Sequence, residues 1–344
     1  MHSLRTYLLM LSLIAPVCLA EEPAVSSTRV TADNFVRAES HKFFSRVVAR
    51  GGFGTFVHNR DLVPVTTQVV IRPNRDTLYS SAVFDLDAGP VTVTVTLPDA
   101  GQRYFSLMAI NEDQYTQGVA YAPGNYQFSR ESVGTRYVLL GVRTLVDPAS
   151  ASDVQSGRAL QDRIKVEQAG GPGRFEVPQW DTASLDAVRN SLLLLAATVP
   201  DSRRMFGTPA QVDPVRHFIG SASAWGGNQE RDAFYLNVSP ARNDGVTRYQ
   251  LTVKDVPVDA FWSISVYNAA GYFEPNPLNR YTLNNLTAKR EADGSIVVQF
   301  GGCESGASNC LPITPGWNYM TRMYKPRAQV LDGSWQFPEA KPAI

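Results

Sequence analysis

The sequence predicts a mainly β protein with flanking helices, organised as two β-sandwich domains, and three observations carry that expectation. From Gln68 to Val142, short runs of branched and aromatic residues recur at brief intervals, cut by Pro73, Gly89-Pro90, Pro98, Gly101 and Pro123-Gly124. Short strands with regular turns mark an antiparallel sandwich. A second series (AFYLNVS, RYQLTVKD, AFWSISVYN, SIVVQF, NYMTRMYKP) opens near Ala233 after a helical interval. The 344 residues also exceed what one hydrophobic core ordinarily accommodates.

The first twenty residues read as a secretory signal peptide. Arg5 gives the positive start, Leu8–Val17 the apolar stretch, and Leu19-Ala20 precede the polar EEPAVSS, which places cleavage after Ala20. The apolar run is shorter than the roughly 20 residues of a spanning helix, so no membrane span is expected. Thr31–Gly51 has helical spacing, with Val36, Ser40, Phe43, Phe44, Val47 and Val48 on one face, Asp33 at the start and Gly51-Gly52 at the stop. Seven strands follow: Gln68–Arg72, Leu78–Leu86, Val91–Leu97, Tyr104–Asn111, Gly118–Ala122, Asn125–Phe128 and Arg136–Val142. VTVTVTL alternates branched apolar with hydroxyl residues, as a sheet with one buried face requires.

Ala151–Gly173 is a polar helical or loop connection. Thr182–Val199 is the strongest helix, with Leu185, Val188, Leu192, Leu195, Ala196 and Val199 on its apolar face and Pro200 at its end. The run Leu192–Leu195 widens that face, so burial on more than one side is expected, packing the two domains together. GSASAWGG (Gly220–Gly227) is expected to be a linker packed on the second domain through Trp225. The boundaries are then a signal peptide at 1–20, an N-terminal sandwich with its leading helix at 31–170, a helical connector at 171–230, and a jelly-roll-like sandwich at 231–344. Asp293-Gly294 marks a hairpin turn between Leu286–Glu291 and Ser295–Phe300.

Net charge is zero, with 32 Lys plus Arg against 32 Asp plus Glu, and no basic stripe interleaves with aromatics. Nucleic acid and anionic membrane surfaces are therefore not expected partners. Cys303 and Cys310, in GGCESGASNCLP, read as a disulfide in an oxidising compartment. Closing so short a loop contributes on the order of 2–3 kcal/mol.

Chemistry concentrates in VVIRPNRDTLYSS, Val69–Ser81. Pro73 removes a ladder donor and ends a strand. Asn74 and Asp76 can shape the turn through local backbone bonds, and Thr77, Tyr79 and Ser81 share one face of the returning strand. Arg72 or Arg75 could grip Asp76 as a bidentate pair, or else a substrate carboxylate or phosphate. The block is thus either a clamp that fixes the turn and docks the second domain, or a ligand-facing site.

His58, in FVHNRDL, is the candidate general base, with Asp76 or Asp61 to orient it; the alternative is a histidine satisfied structurally in a loop. His41 falls in the first helix and His217 in a loop. No pair of histidines has metal-ligand spacing, so no transition-metal site and no cofactor are expected. Glu112 and Asp113 in NEDQY could serve acid–base work, but read more readily as a solvated turn. GSASAWGG only approaches a nucleophile elbow. In the second domain Arg322 and Tyr324 share a strand face, at a pocket or at the domain interface. Its dense aromatics, among them Trp262, Tyr267, Trp317 and Trp335, could stack on sugars, although alternation along Phe261–Tyr267 assigns most of them to a core.

These blocks carry a resemblance. VVIRPNRDTLYSSAVFDL, GPVTVTV, RYFSLMAINEDQYTQGVAY and RYVLLGV are similar to the bacterial domain of unknown function 1254. AFWSISVYNAAGYFEPN, DGSIVVQF, WNYMTRMYKP and LDGSWQFP resemble its C-terminal partner, domain of unknown function 1214. The resemblance implies a two-domain β-sandwich protein and gives architecture rather than chemistry. Cys310, in NCLP, stands where the family pattern has a tryptophan, so that loop is expected to be rebuilt.

The expected function is a periplasmic or secreted protein acting on a polar small molecule, glycan or ester at the interdomain cleft, as a metal-independent hydrolase or lyase. Asp76, His58, Arg75 and Tyr79 are its catalytic candidates, and Arg72, Asn74, Arg322 and Tyr324 its ligand-binding ones. The alternatives are a non-catalytic binder of carbohydrate or of an envelope component, and a structural envelope protein. Oligomeric state is left open.

Overall fold

The computed structural model describes residues 27–68, 70–95 and 103–343. The expected signal peptide, Val69, and the end of the strand expected at Val91–Leu97 lie outside the described residues. The fold is mainly β, two sandwiches with flanking helices, as the sequence predicts.

The chain enters through α1 (Phe35–Ala49), which buries Phe35, Ala38, Ser40 and Phe44. Asn34 rather than Asp33 sits at its N-cap. Eight strands build the first sandwich: β1 (Val57–Asn59), β2 (Thr77–Asp85), β3 (Val91–Val95), β4 (Phe105–Asn111), β5 (Thr116–Ala120), β6 (Gly124–Phe128), β7 (Tyr137–Leu145) and β8 (Lys165–Glu167). Short α2 (Arg130–Val133) and α3 (Ala151–Gln161) interrupt them. One sheet runs β1-β2-β7-β4-β5 and the other β6-β3-β8. Val91, Val93 and Val95 of the VTVTV run point inward against Ala82, Phe84, Leu107, Val138, Leu140 and Val142, while the threonines between them are half-buried. Each fully buried Val or Leu of this kind contributes about 1.5–3 kcal/mol.

Three expectations are corrected here. Of the strand expected at Gln68–Arg72, the described residues are not in a strand: Arg72 has φ 50°, and its amide bonds Gly271 O of the other sandwich at 2.8 Å. A strand at Val57–Asn59, carrying His58, forms instead. β7 continues past Val142 to Leu145, and its added residues prove to matter.

α4 (Thr182–Ala196) and α5 (Pro214–Ser223) follow, each started by an aspartate whose carboxylate accepts amides of the first turn. The expected burial of α4 on several sides is not found. Leu185 and Leu192 are buried against α1 and α5, but Leu194 is 77% and Leu195 52% exposed. The helix packs on the first sandwich's helices and does not bridge the two sandwiches. Trp225, expected on the second domain, instead stacks on Phe43 of α1 at 4.3 Å and donates to Ser40 Oγ. His217 lies in α5, not in a loop. Among the described residues no helix is long and apolar enough to cross a membrane.

The second sandwich comprises β9 (Ala233–Val238), β10 (Tyr249–Val253), β11 (Trp262–Tyr267), β12 (Thr282–Asn284), β13 (Ile296–Phe300), β14 (Cys310–Leu311), β15 (Asn318–Tyr324) and β16 (Lys341–Pro342), with α6 (Ala328–Leu331). Its sheets run β14-β13-β10-β16 and β12-β11-β15-β9. Asp293-Gly294 makes its turn, but Leu286–Glu291 before it is not a strand. Cys303 and Cys310 are joined in a disulfide. Strand alternation sorts β9, β11 and β15 into two faces. Phe234, Trp262, Ile264, Val266, Tyr319 and Met323 form the core with the opposite sheet. The other face carries Tyr235, Ser263, Ser265, Tyr267, Arg322 and Tyr324, and turns its polar groups toward the first sandwich.

Candidate functional site

Asp76 is fully buried where the sandwiches meet. Its carboxylate accepts from Ser263 Oγ at 2.6 Å and Thr282 Oγ1 at 3.2 Å. Burial pushes its pKa up, against the opposing pull of Arg322 and of those two hydroxyls. Arg322, also buried, donates to Ser265 Oγ (2.9 Å), Tyr267 OH (2.7 Å) and Arg72 O (2.8 Å), while Tyr267 OH donates to Pro73 O at 2.8 Å. Arg75 bonds Val63 O and lies over the Tyr281 ring at 5.2 Å, and Arg72 reaches Asn318 Oδ1 at 3.4 Å. Neither arginine grips Asp76. Residues 72–76 are thereby strapped to the second sandwich by a network in which the buried charges of Asp76 and Arg322 are met by hydrogen bonds, the condition for tolerating them, while the buried Arg72 Nε is left without a partner.

The remaining candidates divide. Asn74 accepts the Asp76 amide at 2.8 Å and points its Nδ2 at Tyr79 OH (3.2 Å) and Tyr324 OH (3.1 Å). Tyr79, Asn74 and Tyr324 therefore come together. His58 does not join them. It bonds Ser80 Oγ at 2.7 Å, and Ser80 faces the opposite side of β2 from Tyr79. Burial and Arg60 lower its pKa, and Asp61 pairs with Arg158 instead. His41 Nδ1 accepts the Trp180 indole at 3.1 Å and its Nε2 faces Glu112 at 2.8 Å, while Arg37 holds Asp113 through two bonds. The Glu112–Asp113 pair is thus tied into the α1 packing rather than solvated. Most aromatics of the second sandwich, including Trp262, Tyr267, Phe273, Trp317 and Tyr319, are buried.

A residue that sequence reasoning passed over lies beside Tyr79. The ladder aligns Tyr79 of β2, Arg143 of β7 and Ser106 of β4, so all three side chains leave the same face of the sheet. The Arg143 guanidinium is 5.6 Å from the Tyr79 ring centre. Its hydrogen bonds to Asn228 Oδ1 and Gly226 O are long, 3.3 Å each, and among the described residues no carboxylate forms an ion pair with it. Facing phenols of Tyr79, Tyr235, Tyr104 and Tyr324 keep it cationic against burial. The Ser106 hydroxyl is fully buried with no hydrogen-bond partner; the Tyr104 phenol lies close without closing a bond of ordinary geometry.

Two residues along β7 from Arg143, a Cβ built on Gly141 would meet no atom within 4 Å. This leaves a hollow beside Gly141, flanked on its own rung of the ladder by Ser81 and Met108 and followed on the same face by the Arg143 and Ser106 rung. Gly226 and Asn228 meet Arg143 there, Asn228 Nδ2 bonds Tyr235 OH at 2.8 Å, and the Tyr104 ring packs against that of Tyr324. Tyr79, Tyr104, Arg143 and Tyr235 all remain partly exposed. Burial pushes the Tyr79 phenol up, but Arg143 and hydrogen bonds to Thr77, Asn74 and Arg143 carry it below its ordinary value. The hollow therefore pairs a fixed cation with a phenol readier than usual to lose its proton.

A groove of about 500 Å³, which shares no lining residue with this cluster, lies between Val246, Arg248, Leu278, Ile313 and the disulfide loop. It has volume, but its only charged side chains are Arg248 and Glu304, and we place the site where polar groups converge. Among the described residues no group of three or more His, Cys, Asp or Glu is placed to hold a metal.

Residues 53–141 match the model of a family described as a protein of unknown function, DUF1254, and residues 237–328 match that of a second, DUF1214. The chain belongs to the DUF1254–DUF1214 family. In this DUF1254–DUF1214 protein the hollow draws on both matched segments and on the stretch between them, where Arg143, Asn228 and Tyr235 lie. The crystal structure of the VPA0106 protein from Vibrio parahaemolyticus shares the fold with a TM-score of 0.71 at 19% identity, over 91% of this chain and 98% of that one. An uncharacterized protein from Burkholderia cenocepacia is similar more loosely, with a TM-score of 0.51 at 15% identity over 85% and 83%. No curated protein matches the sequence.

Proposed function

We propose that this protein works outside the cytoplasm, where it holds a small, polar, negatively charged molecule in the hollow over Gly141 and acts on it as a hydrolase or lyase by proton transfer from its own side chains. The observation that carries the reading is Arg143: a guanidinium held cationic among phenols, with no carboxylate paired to it among the described residues, beside an unbonded buried hydroxyl and the open space at Gly141. A carboxylate or phosphate seated over Gly141 would satisfy Arg143 and Ser106 together. The leader sequence and the Cys303–Cys310 disulfide support an oxidising, extracytoplasmic setting.

The test is a melting-temperature screen against carboxylates, phosphoesters, sulfated sugars and neutral sugars. An anionic class at about 100 times its Kd is expected to add about 2.7 kcal/mol of stability. Arg143→Met is expected to melt cooperatively without that gain. A gain from neutral sugars alone, or one that survives in Arg143→Met, would contradict the proposal.

A further inference from the structure

The hollow contains one kind of reactive group, and its surroundings narrow the chemistry available. Hydrolysis of an ester or glycoside needs a carboxylate pair or a base-activated nucleophile facing the bond. Both oxygens of Asp76 are engaged by Ser263 and Thr282 in a sealed site. Asp232 is buried and takes the Tyr121 hydroxyl at 2.8 Å. His58 points to the other side of β2, away from Ser106.

Tyr79 remains, and its setting eases the loss of its proton. Asn74 is locked by the Asp76 amide so that it presents its donor, not its acceptor, to the phenol oxygen. The Arg143 charge lies beside the ring. Donors and a cation around an oxygen stabilise its anion, and the pKa of Tyr79 is lowered accordingly. A base next to a carboxylate-binding fork suits the removal of a proton from carbon. The negative charge left behind passes into the carboxylate as an enediolate, where the guanidinium and the Ser106 hydroxyl can meet it.

Building on the reading of the hollow as an anion site, we propose that the protein is a lyase for carboxylates bearing an oxygen substituent on the β carbon, with Arg143 and Ser106 gripping the carboxylate and Tyr79 removing the α proton. The step balances without a co-reactant. The Tyr79 phenolate oxygen takes the α proton, and the electron pair of that C–H bond becomes the α–β double bond. The β C–O bond breaks with its pair on oxygen. That oxygen leaves with the proton from Tyr79, whose phenolate is restored. Both a uronic-acid glycan and a small β-hydroxy acid offer this arrangement, and the phenol rings of Tyr104 and Tyr235 form apolar flanks for either.

The experiment uses the full mature chain with two probes in D2O, trigalacturonate and the two enantiomers of malate. Melting shift, deuterium uptake at the α carbon and ultraviolet absorbance of an α,β-unsaturated carboxylate are recorded for each. The proposal expects exchange or unsaturated product from at least one probe, trigalacturonate pointing to a glycan source and malate to a small acid. Tyr79→Phe is expected to keep the melting shift and lose turnover by about 10²–10⁴-fold, the usual weight of a general base. Arg143→Met should lose both. A probe that shifts the melt through Arg143 yet shows neither exchange nor product overturns the lyase assignment and leaves the anion site standing, as does turnover undiminished in Tyr79→Phe. If no probe binds, the lyase assignment falls for these acids, and a hit confined to phosphoesters in the wider screen would rule it out while keeping the site.

Discussion

Arg143 and Arg322 both sit between the two sandwiches, yet their surroundings differ in a way that substitution can read. Arg322 donates to Ser265, Tyr267 and the backbone of residues 72–73. Removing it leaves several buried acceptors unmet, so Arg322→Met is expected to cost about 3–5 kcal/mol in denaturant unfolding. Arg143 has two long bonds, to Asn228 and Gly226, and its contact with Tyr79 to lose. Arg143→Met is expected to be neutral to within about 1 kcal/mol, since a charge without an ion-pair partner is replaced by a side chain of similar length. Equal losses in the two variants would contradict the division between clamp and site.

The carboxylates give a second contrast, in pH. Burial holds the folded pKa of Asp76 above its ordinary 3.8. As pH rises from that range, the unfolded chain releases its proton first, so this group's contribution to stability declines until the folded pKa is passed and then levels off. Glu112 behaves oppositely. Burial pushes it up, but His41, the Tyr137 amide and Arg37 outweigh that and set its pKa below 4.5. Its stabilisation is complete above the ordinary glutamate range and is lost as pH falls through the lowered value. Unfolding free energies measured from acid to neutral pH are expected to lose the declining component in Asp76→Asn and the acid-side loss in Glu112→Gln.

At the scale of elements, strand β7 decides the site. Its apolar run YVLLGV is legible because period-2 burial needs branched residues on both faces of a central strand. Arg143 was not legible, because a lone arginine after an apolar run looks like a solvated strand end. Only the pairing of Tyr79, Arg143 and Ser106 shows that the strand continues beneath a neighbour. Gln68–Arg72 misled for a related reason: its branched residues suit a strand, but the second sandwich captures its backbone at Gly271. The leucine run of α4 signalled a helix correctly, but periodicity cannot say how many faces find partners. Leu192→Ala is expected to cost about 2–5 kcal/mol and Leu194→Glu less than about 0.5, by the same unfolding assay. Gly141 offers the sharpest element-level probe. Its neighbourhood has room for a side chain, so Gly141→Ala should leave the melting temperature unchanged or slightly raised. Gly141→Leu should fill the hollow and abolish ligand-induced shifts while the protein still folds.

For the whole molecule, the sandwiches were the most legible feature, because alternation and turn residues are local signals. Their docking was legible only in part. The RPNRD block stood out for its density of hydrogen-bonding groups, yet which groups pair across the interface depends on contacts about 190–250 residues apart, such as Asp76 with Ser263 and Arg72 with Arg322. This strap is expected to make the two sandwiches unfold in one calorimetric transition, and Arg322→Met to separate it into two. The hollow follows from the same docking, since the first sandwich supplies its floor and base and the second closes it with Tyr235 and Tyr324. The most direct measurement is a crystal soaked in 5-bromo-2-furoate, with the bromine located by anomalous scattering. The account predicts the carboxylate on Arg143 and Ser106 with the bromine over Gly141, and no such density in Arg143→Met. Bromine found only in the groove beside Arg248 and the disulfide would contradict it.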